Sequence, residues 1–205
     1  MIVCKLQGGL GNCLFQYFAG MSTSIDNNVD ILFDLDYFKS KSNNGIVSHF
    51  DFNLSKFVKN IPEYNKDQKN LKLVSDIFLY KKIIGDNLYM NGYWQSDKYF
   101  KHNFHKIINN LELNIDLSKY KDIDFKNTIS IHIRRGDYIN LKHLYINLSM
   151  EYYIYAINYI LNINPNIKNI IVFSDDINWC KNNLLTKFEN VIFSENMDEY
   201  FDIIL

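Results

Sequence analysis

Ile2-Val3-Cys4-Lys5-Leu6-Gln7-Gly8-Gly9-Leu10-Gly11-Asn12-Cys13-Leu14-Phe15 is the stretch whose reading decides the fold. A short apolar run rich in β-formers breaks at Gln7 into three closely spaced glycines. After them Leu14, Phe15, Phe18, Ser22 and Ile25 recur at three and four residues, as one face of a helix does. A second apolar run at 29–33 predicts another strand. Strand, glycine turn, helix, strand is the opening of an α/β unit with a parallel sheet.

The same alternation returns late in the chain. Strands are predicted at 128–133, 169–173 and 191–193, and helices at 149–161, at 176–185 and from Asp198 onward, with a turn near Pro165. This second βαβαβ pattern ends without a further strand and is short for a nucleotide-binding domain of its class. Between the two patterns, residues 40–75 are polar and weakly patterned, with Ser42-Asn43-Asn44-Gly45 as a loop. Residues 88–94 read as a strand. Residues 97–111 read as a helix burying Tyr99, Phe100, Phe104, Ile107, Ile108 and Leu111, and 116–126 as a polar connection. The expected division is 1–120 and 121–205, two α/β halves joined by that connection.

At 205 residues and 47% hydrophobic composition, the chain can bury one large core or two small ones. A formal net charge of -1 provides no global field to recruit nucleic acid or an anionic membrane, so any affinity for phosphate must be local. Three cysteines, Cys4, Cys13 and Cys180, are an odd number without a close pair, which argues against a disulfide framework or a zinc cluster and for a reducing compartment. With no leader pattern and no apolar run near the roughly 18 residues of a membrane span, a soluble chain is expected.

Of 22 basic residues only two are arginine, and they are neighbours in Ile131-His132-Ile133-Arg134-Arg135-Gly136-Asp137-Tyr138. Arginine offers a planar fork that holds two phosphate oxygens at once and keeps its proton, whereas lysine offers a solvated point charge. Ligands of open α/β sheets sit beyond the carboxyl ends of strands, where this pair is expected. The competing reading is a strand-end ion pair, for example with Asp137.

His132-Ile-Arg134-Arg135-Gly-Asp137-Tyr resembles the His-x-Arg-Arg-x-Asp signature of α-1,2- and α-1,6-fucosyltransferases. The run from Gly8 to Tyr17 is similar to the N-terminal signature of the α-1,2 family, glycosyltransferase family 11. Gly92-Tyr-Trp94-Gln95-Ser-Asp-Lys-Tyr-Phe100 and Phe173-Ser174-Asp175-Asp176-Ile-Asn-Trp179-Cys-Lys181 are two further matches in the same order. The resemblance implies a GT-B-like fold: two Rossmann-like βαβ halves facing a cleft, the C-terminal one incomplete. It implies inverting, metal-independent transfer of L-fucose from GDP-fucose to a hydroxyl, expected to be O2, of a galactose-containing glycan. Arg134 would grip the diphosphate, Arg135 would support it and His132 would lie near the nucleotide. The charge that develops on the leaving diphosphate is what a fixed guanidinium stabilises.

The remaining candidates each carry a plainer alternative. Gly9, Gly11 and Asn12 could let the backbone approach the donor at a helix N-terminus, or form only a tight turn. With Asp34 about twenty residues further on, a dinucleotide fold is also conceivable, but Leu14 stands at the third glycine of that fingerprint. Family members usually carry Gln where this chain has Cys13. Asp34-Leu-Asp36 matches the metal-binding D-x-D pattern, as does Asp122-Ile-Asp124, but the arginines already provide positive charge, and no metal or other cofactor is expected. Ser174, Asp175 and Asp176 could accept from guanine or ribose groups, or cap a helix. Trp94 and Gln95 could contact the acceptor, or Trp94 could be core. Asp137 is the expected base for the acceptor hydroxyl. A family motif that usually follows the Ser-Asp-Asp segment is absent. The alternatives to an active enzyme are therefore a non-catalytic remnant and one piece of a split enzyme, with an oligomer or a complementing C-terminal fragment as partner. The expected location is cytoplasmic, soluble or peripheral at a membrane where glycans are assembled.

Overall fold

In the computed structural model, the N-terminal apolar run forms β1 (Ile2–Lys5), with Ile2, Val3 and Cys4 fully buried. That burial on both faces is the mark of a central parallel strand. Residues 1–39, 53–58, 60–67, 70–77, 79–112, 118–141, 143, 145–194 and 199–204 are described. They fall into two compact units, Met1–Asn114 and Ile115–Leu205.

In the first unit, β1 leads through a glycine turn into α1 (Leu10–Asn27), then β2 (Ile31–Asp34) and a short α2 (Asp36–Lys39). The helix lies close on the sheet because Gly20 has no Cβ; one would sit 2.9 Å from Cys4 Cβ and from Ile31 Cδ1. Asn28 ends α1 in a left-handed conformation (φ 52), and its N–H returns to the carbonyls of Ser24 and Ile25. β3 (Lys72–Ser75) and β4 (Leu88–Asn91) complete a four-stranded sheet in the order β2-β1-β4-β3, every pair parallel. The strand order therefore reverses between β1 and β4.

Two expectations fail here for identifiable reasons. The helix read over 97–111 is broken into single turns of 3₁₀ helix, Asp97–Tyr99 and Lys101–Asn103, before α3 (Phe104–Ile108). Phe100 between the two turns has φ -137 and ψ -10, outside the helical region. Asn103 turns inward to donate to Ser22 Oγ and Asp26, and Phe104 is left exposed. The strand read over 88–94 stops at Asn91, because Trp94 takes a positive φ of 54.

The second unit contains β5 (Thr128–Ile133), α4 (Gly136–Asn140), α5 (Met150–Ile163), β6 (Asn169–Ser174), α6 (Ile177–Leu184), β7 (Val191–Phe193) and α7 (Glu199–Ile204). Its sheet runs β5-β6-β7, all parallel. Alternate residues Ile133, Ile170 and Val172 pack with Tyr153 and Ile157 of α5 and with Cys180 and Leu184 of α6. α4 lies between the strand predicted at 128–133 and the helix predicted at 149–161, where no element was expected. Asp198, the expected start of α7, lies outside the described residues. Among the described residues no helix is long and apolar enough to cross a membrane.

Candidate functional site

Parallel register aligns Ile133 of β5 with Ser174 of β6, so two strand ends reach the same edge together. Ile133 is the last residue of β5 turned into the core; beyond it Arg134 and Arg135 leave the sheet beside Asp175 and Asp176. Ser174 ties the two ends by donating from Oγ to the Ile133 carbonyl at 2.6 Å, and accepts the Asp176 N–H at 3.0 Å.

The two arginines are held differently. Arg135 Nε is 3.1 Å from Asp176 Oδ2, and its guanidinium carbon lies 3.7 Å from the centroid of the Trp179 ring. Such stacking pins a guanidinium in plane. Asp176 in turn caps α6, accepting the Trp179 N–H at 3.2 Å through Oδ1. Arg134 Nη1 is 3.1 Å from Asp175 Oδ2, while the Arg135 backbone N–H donates to Asp175 Oδ1 at 2.8 Å. The Arg134 side chain is 35% exposed against 20% for Arg135. Its guanidinium also lies 5.6 Å from the Tyr138 ring, which stacks on Tyr145 at 4.2 Å. Gly136 leaves room for this pairing: a Cβ there would meet Asp175 Oδ2 at 2.7 Å and push the carboxylate aside. Beneath this edge Cys180 is buried, and that burial pushes its thiol pKa up.

Asp175 and Asp176, from the neighbouring strand end, are ion-pair partners of the two arginines. Asp137 lies in α4, and its side chain is outside the described residues. His132 is exposed on β5, one residue out of phase with the core-facing Ile131 and Ile133. Ser174, Asp175 and Asp176 all join the arginine cluster, as strand tie, ion-pair bridge and helix cap respectively.

The strand-end turn of the first unit has other chemistry. Gly8 has φ +85, and Gly9 precedes α1 as an N-cap without a side-chain hydrogen bond. A Cβ on Gly11 would meet nothing within 4 Å, so internal packing does not demand glycine there. Gln16, fully buried, accepts the Gln7 N–H through Oε1 at 2.8 Å and donates from Nε2 to the Gly92 carbonyl at 3.2 Å. It pins the ends of β1 and β4 together at the point where strand order reverses. Asn12 Oδ1 accepts from Gln95 Nε2 at 2.7 Å. Cys13 is buried under the turn, its sulfur 3.8 Å from the Gly8 carbonyl. A cavity of about 630 Å³ opens beyond the carboxyl ends of β1, β3 and β4, with Gln7 and Gln95 in its lining. Trp94 is not an exposed platform. It is 1% exposed and packs edge-on against Tyr99, with ring centroids 5.4 Å apart, so it belongs to the core.

Asp34 and Asp36 are engaged by their surroundings. Asp34 is buried and accepts the Tyr89 hydroxyl at 2.5 Å and the Asp36 N–H at 2.9 Å, while Asp36 pairs with Lys66. Burial and the Asp34 bond together push the Tyr89 hydroxyl pKa up.

Two residues central to these turns escaped the sequence reading. Gln16 sits on the buried face of a helical pattern where a polar residue looks like noise, although a glutamine wholly inside such a face is itself a signal of a paired amide. Trp179 was noted only within a motif, yet its spacing from Asp176 matches an N-cap and its first turn.

Residues 36–205 match the sequence model of glycosyl transferase family 11. An α-1,2-colitosyltransferase of Escherichia coli is 34% identical over 229 aligned positions, covering 98% of this chain and 76% of that protein. The O-antigen biosynthesis glycosyltransferase WbnK of Escherichia coli is 27% identical, covering 96% of this chain and 44% of WbnK. Among solved structures, the fucosyltransferase NodZ from Bradyrhizobium superposes with a TM-score of 0.55 at 11% identity, covering 95% of this chain and 78% of NodZ. NodZ α-1,6-fucosyltransferase co-crystallized with GDP gives 0.54 at 10% identity, covering 98% and 80%. At such identity the likeness speaks for the fold alone, which is α/β with parallel sheets and GT-B-like.

Proposed function

Because the chain belongs to glycosyltransferase family 11, we propose that it transfers L-fucose from GDP-fucose to a hydroxyl of a galactoside, with inversion and without a metal ion. The observation that carries this reading is the unequal mounting of the two arginines at the carboxyl end of β5. Arg135 is fixed by Asp176 and the Trp179 ring, and Arg134, more exposed, pairs with Asp175. A fixed guanidinium beside a more accessible one suits a diphosphate, whose charge rises as the bond to the sugar breaks. In this reading Asp175 holds the donors in place until phosphate oxygens take them over.

Arg134 grips the diphosphate, and Arg135 keeps the strand end and its N–H in position. Ser174, Asp175 and Asp176 orient the pair, and His132 lies toward the nucleotide. Gly9, Gly11 and Asn12 leave the first turn of α1 open to close approach of a ligand, and the open space around Gly11 supports this. The acceptor oxygen attacks the anomeric carbon, the bond to the diphosphate breaks, and the hydroxyl proton passes to a carboxylate, for which Asp137 is our candidate. A colitosyl donor is a second reading, favoured by the 34% identity to a protein named for that sugar.

The test is calorimetric titration with GDP and GDP-fucose in chelator and again with Mn²⁺, followed by transfer to a galactoside. Binding and transfer in chelator are expected. A strict requirement for Mn²⁺ would overturn the metal-free reading. Transfer only from the GDP-colitose donor would overturn the fucosyl assignment while leaving the arginine clamp intact.

A further inference from the structure

The carboxylate of Asp76 is placed with unusual care. It stands one residue beyond β3, and its own N–H donates to the Asn91 carbonyl at the end of β4. The opposing residue, Gly92, has no Cβ; one there would lie 2.2 Å from Asp76 Cβ and 3.0 Å from Asp76 N, a clash with backbone that no side-chain rotation relieves. Two residues on, Trp94 is held at φ 54, a conformation rarely adopted by a bulky side chain, and in it the Trp94 N–H donates to Asp76 Oδ2 at 2.8 Å. A required glycine and a strained tryptophan therefore converge on one carboxylate. Among the described residues, Asp76 Oδ1 has no hydrogen-bond partner.

That carboxylate lines the cavity of about 630 Å³ at the β1/β4 reversal, the position where open α/β sheets take their ligands. The other walls include amides and aromatic rings, with the aliphatic Ile77 and Leu79 beside them. Gln7 and Gln95 can each donate and accept, as sugar hydroxyls do. Tyr80, Tyr93 and Tyr99 also line it, with Tyr80 and Tyr99 edge-to-face at 5.0 Å. Tyrosine rings suit the C–H face of a pyranose and keep a polar edge for its hydroxyls. Among its described lining residues the cavity has Lys98 as the one cation and no arginine, the wrong chemistry for a diphosphate.

We propose that this cavity binds a neutral hexopyranose, with Asp76 accepting hydrogen bonds from its hydroxyls; the proposal rests on the glycosyltransferase reading, in which that sugar is the acceptor. The carboxylate has lone pairs for adjacent hydroxyls after taking the Trp94 N–H.

The experiment uses the full chain with methyl β-galactopyranoside and lactose as probes. Saturation-transfer NMR reads sugar binding, steady-state kinetics reads acceptor KM, and GDP is titrated in parallel. Asp76→Asn retains an acceptor for the Trp94 N–H. It should raise acceptor KM at least tenfold and abolish the saturation signal, with GDP affinity within twofold. Gln95→Ala should move KM the same way by less. Should GDP fail to bind the unaltered chain while the Asp76-dependent sugar signal persists, the cavity stands and the donor assignment falls. Sugar binding unchanged in both variants, each with a native melting temperature, overturns the proposal, as does displacement of the sugar from this cavity by GDP.

Discussion

Where β1 ends, a neutral amide spans the turn: Gln16 takes the Gln7 N–H with one atom and reaches the Gly92 carbonyl with the other. Where β5 ends, the same task falls to charge, with Asp175 and Asp176 bracing Arg134 and Arg135. Both turns follow a parallel strand and lead into a helix, so topology does not account for the difference. An amide staple keeps the local field near neutral. The ion-paired turn stores cations that can change partners, which an anionic ligand can exploit. The comparison predicts a neutral, hydroxyl-rich ligand at the first turn and a phosphate at the second.

The largest expected effect comes from breaking the charged turn. Arg134→Lys keeps the charge but loses the fork, and should weaken GDP binding by about 1.5–3 kcal/mol. An ion pair this exposed contributes only about 0–1 kcal/mol to stability, so the melting temperature should barely move. Unchanged GDP affinity with a lowered melting temperature would reduce the arginine to a strand brace and dissolve the comparison.

Gly92→Ala probes the neutral turn and should destabilise the first unit by about 1–3 kcal/mol, because the added methyl meets Asp76 backbone at 3.0 Å. Gly11→Ala has open space and should leave denaturant unfolding unchanged or slightly improved. If it nevertheless lowers transfer, the glycine serves the ligand rather than the fold.

Trp179→Leu removes the ring beneath Arg135 and should weaken GDP binding by about 0.5–2 kcal/mol, less than the loss of the fork. Equal effects from the two substitutions would mean that Arg135 itself touches the donor.

The smallest effect sharpens the first unit alone. Burial acts to raise the Asp26 carboxyl pKa, but hydrogen bonds from His102 and Asn103 outweigh it and hold the group below its ordinary value. A depressed folded value means the stabilisation is fully present above the unfolded value of about 3.9. It is lost as pH falls through the folded value. Asp26→Asn should flatten that acid limb in a pH series of melting curves by lowering the melting temperature above the limb, neutral pH included.

What the sequence discloses depends on how a residue makes its contacts. β5 and β7 have the predicted bounds because Ile129, Ile131 and Ile133 alternate with Thr128, Ser130 and His132, and Val191-Ile192-Phe193 is a run of β-formers between polar neighbours. β3 was invisible within a polar stretch: it is an edge strand whose Lys72, Leu73 and Ser75 are exposed, so alternation has nothing to report. The arginines stood out by rarity, but their partners, some forty residues away, emerge only from the register of Ile133 with Ser174. The role of Asp76 was likewise hidden, since it depends on a glycine and a left-handed tryptophan in a neighbouring strand end.

The strand order of the first sheet also governs how the chain emerges during synthesis. In the second unit each new strand joins the edge just made, β5 then β6 then β7. In the first, β1 pairs early with β2, but its other edge takes β4, beginning at Leu88. At roughly 5–20 residues per second on the ribosome, Ile2, Val3 and Cys4 wait for several seconds beside an open edge. An unpaired apolar strand invites another nascent chain or a holding chaperone, so yield in cells should respond to translation rate across the stretch before Leu88 more than to the thermal stability of the finished protein.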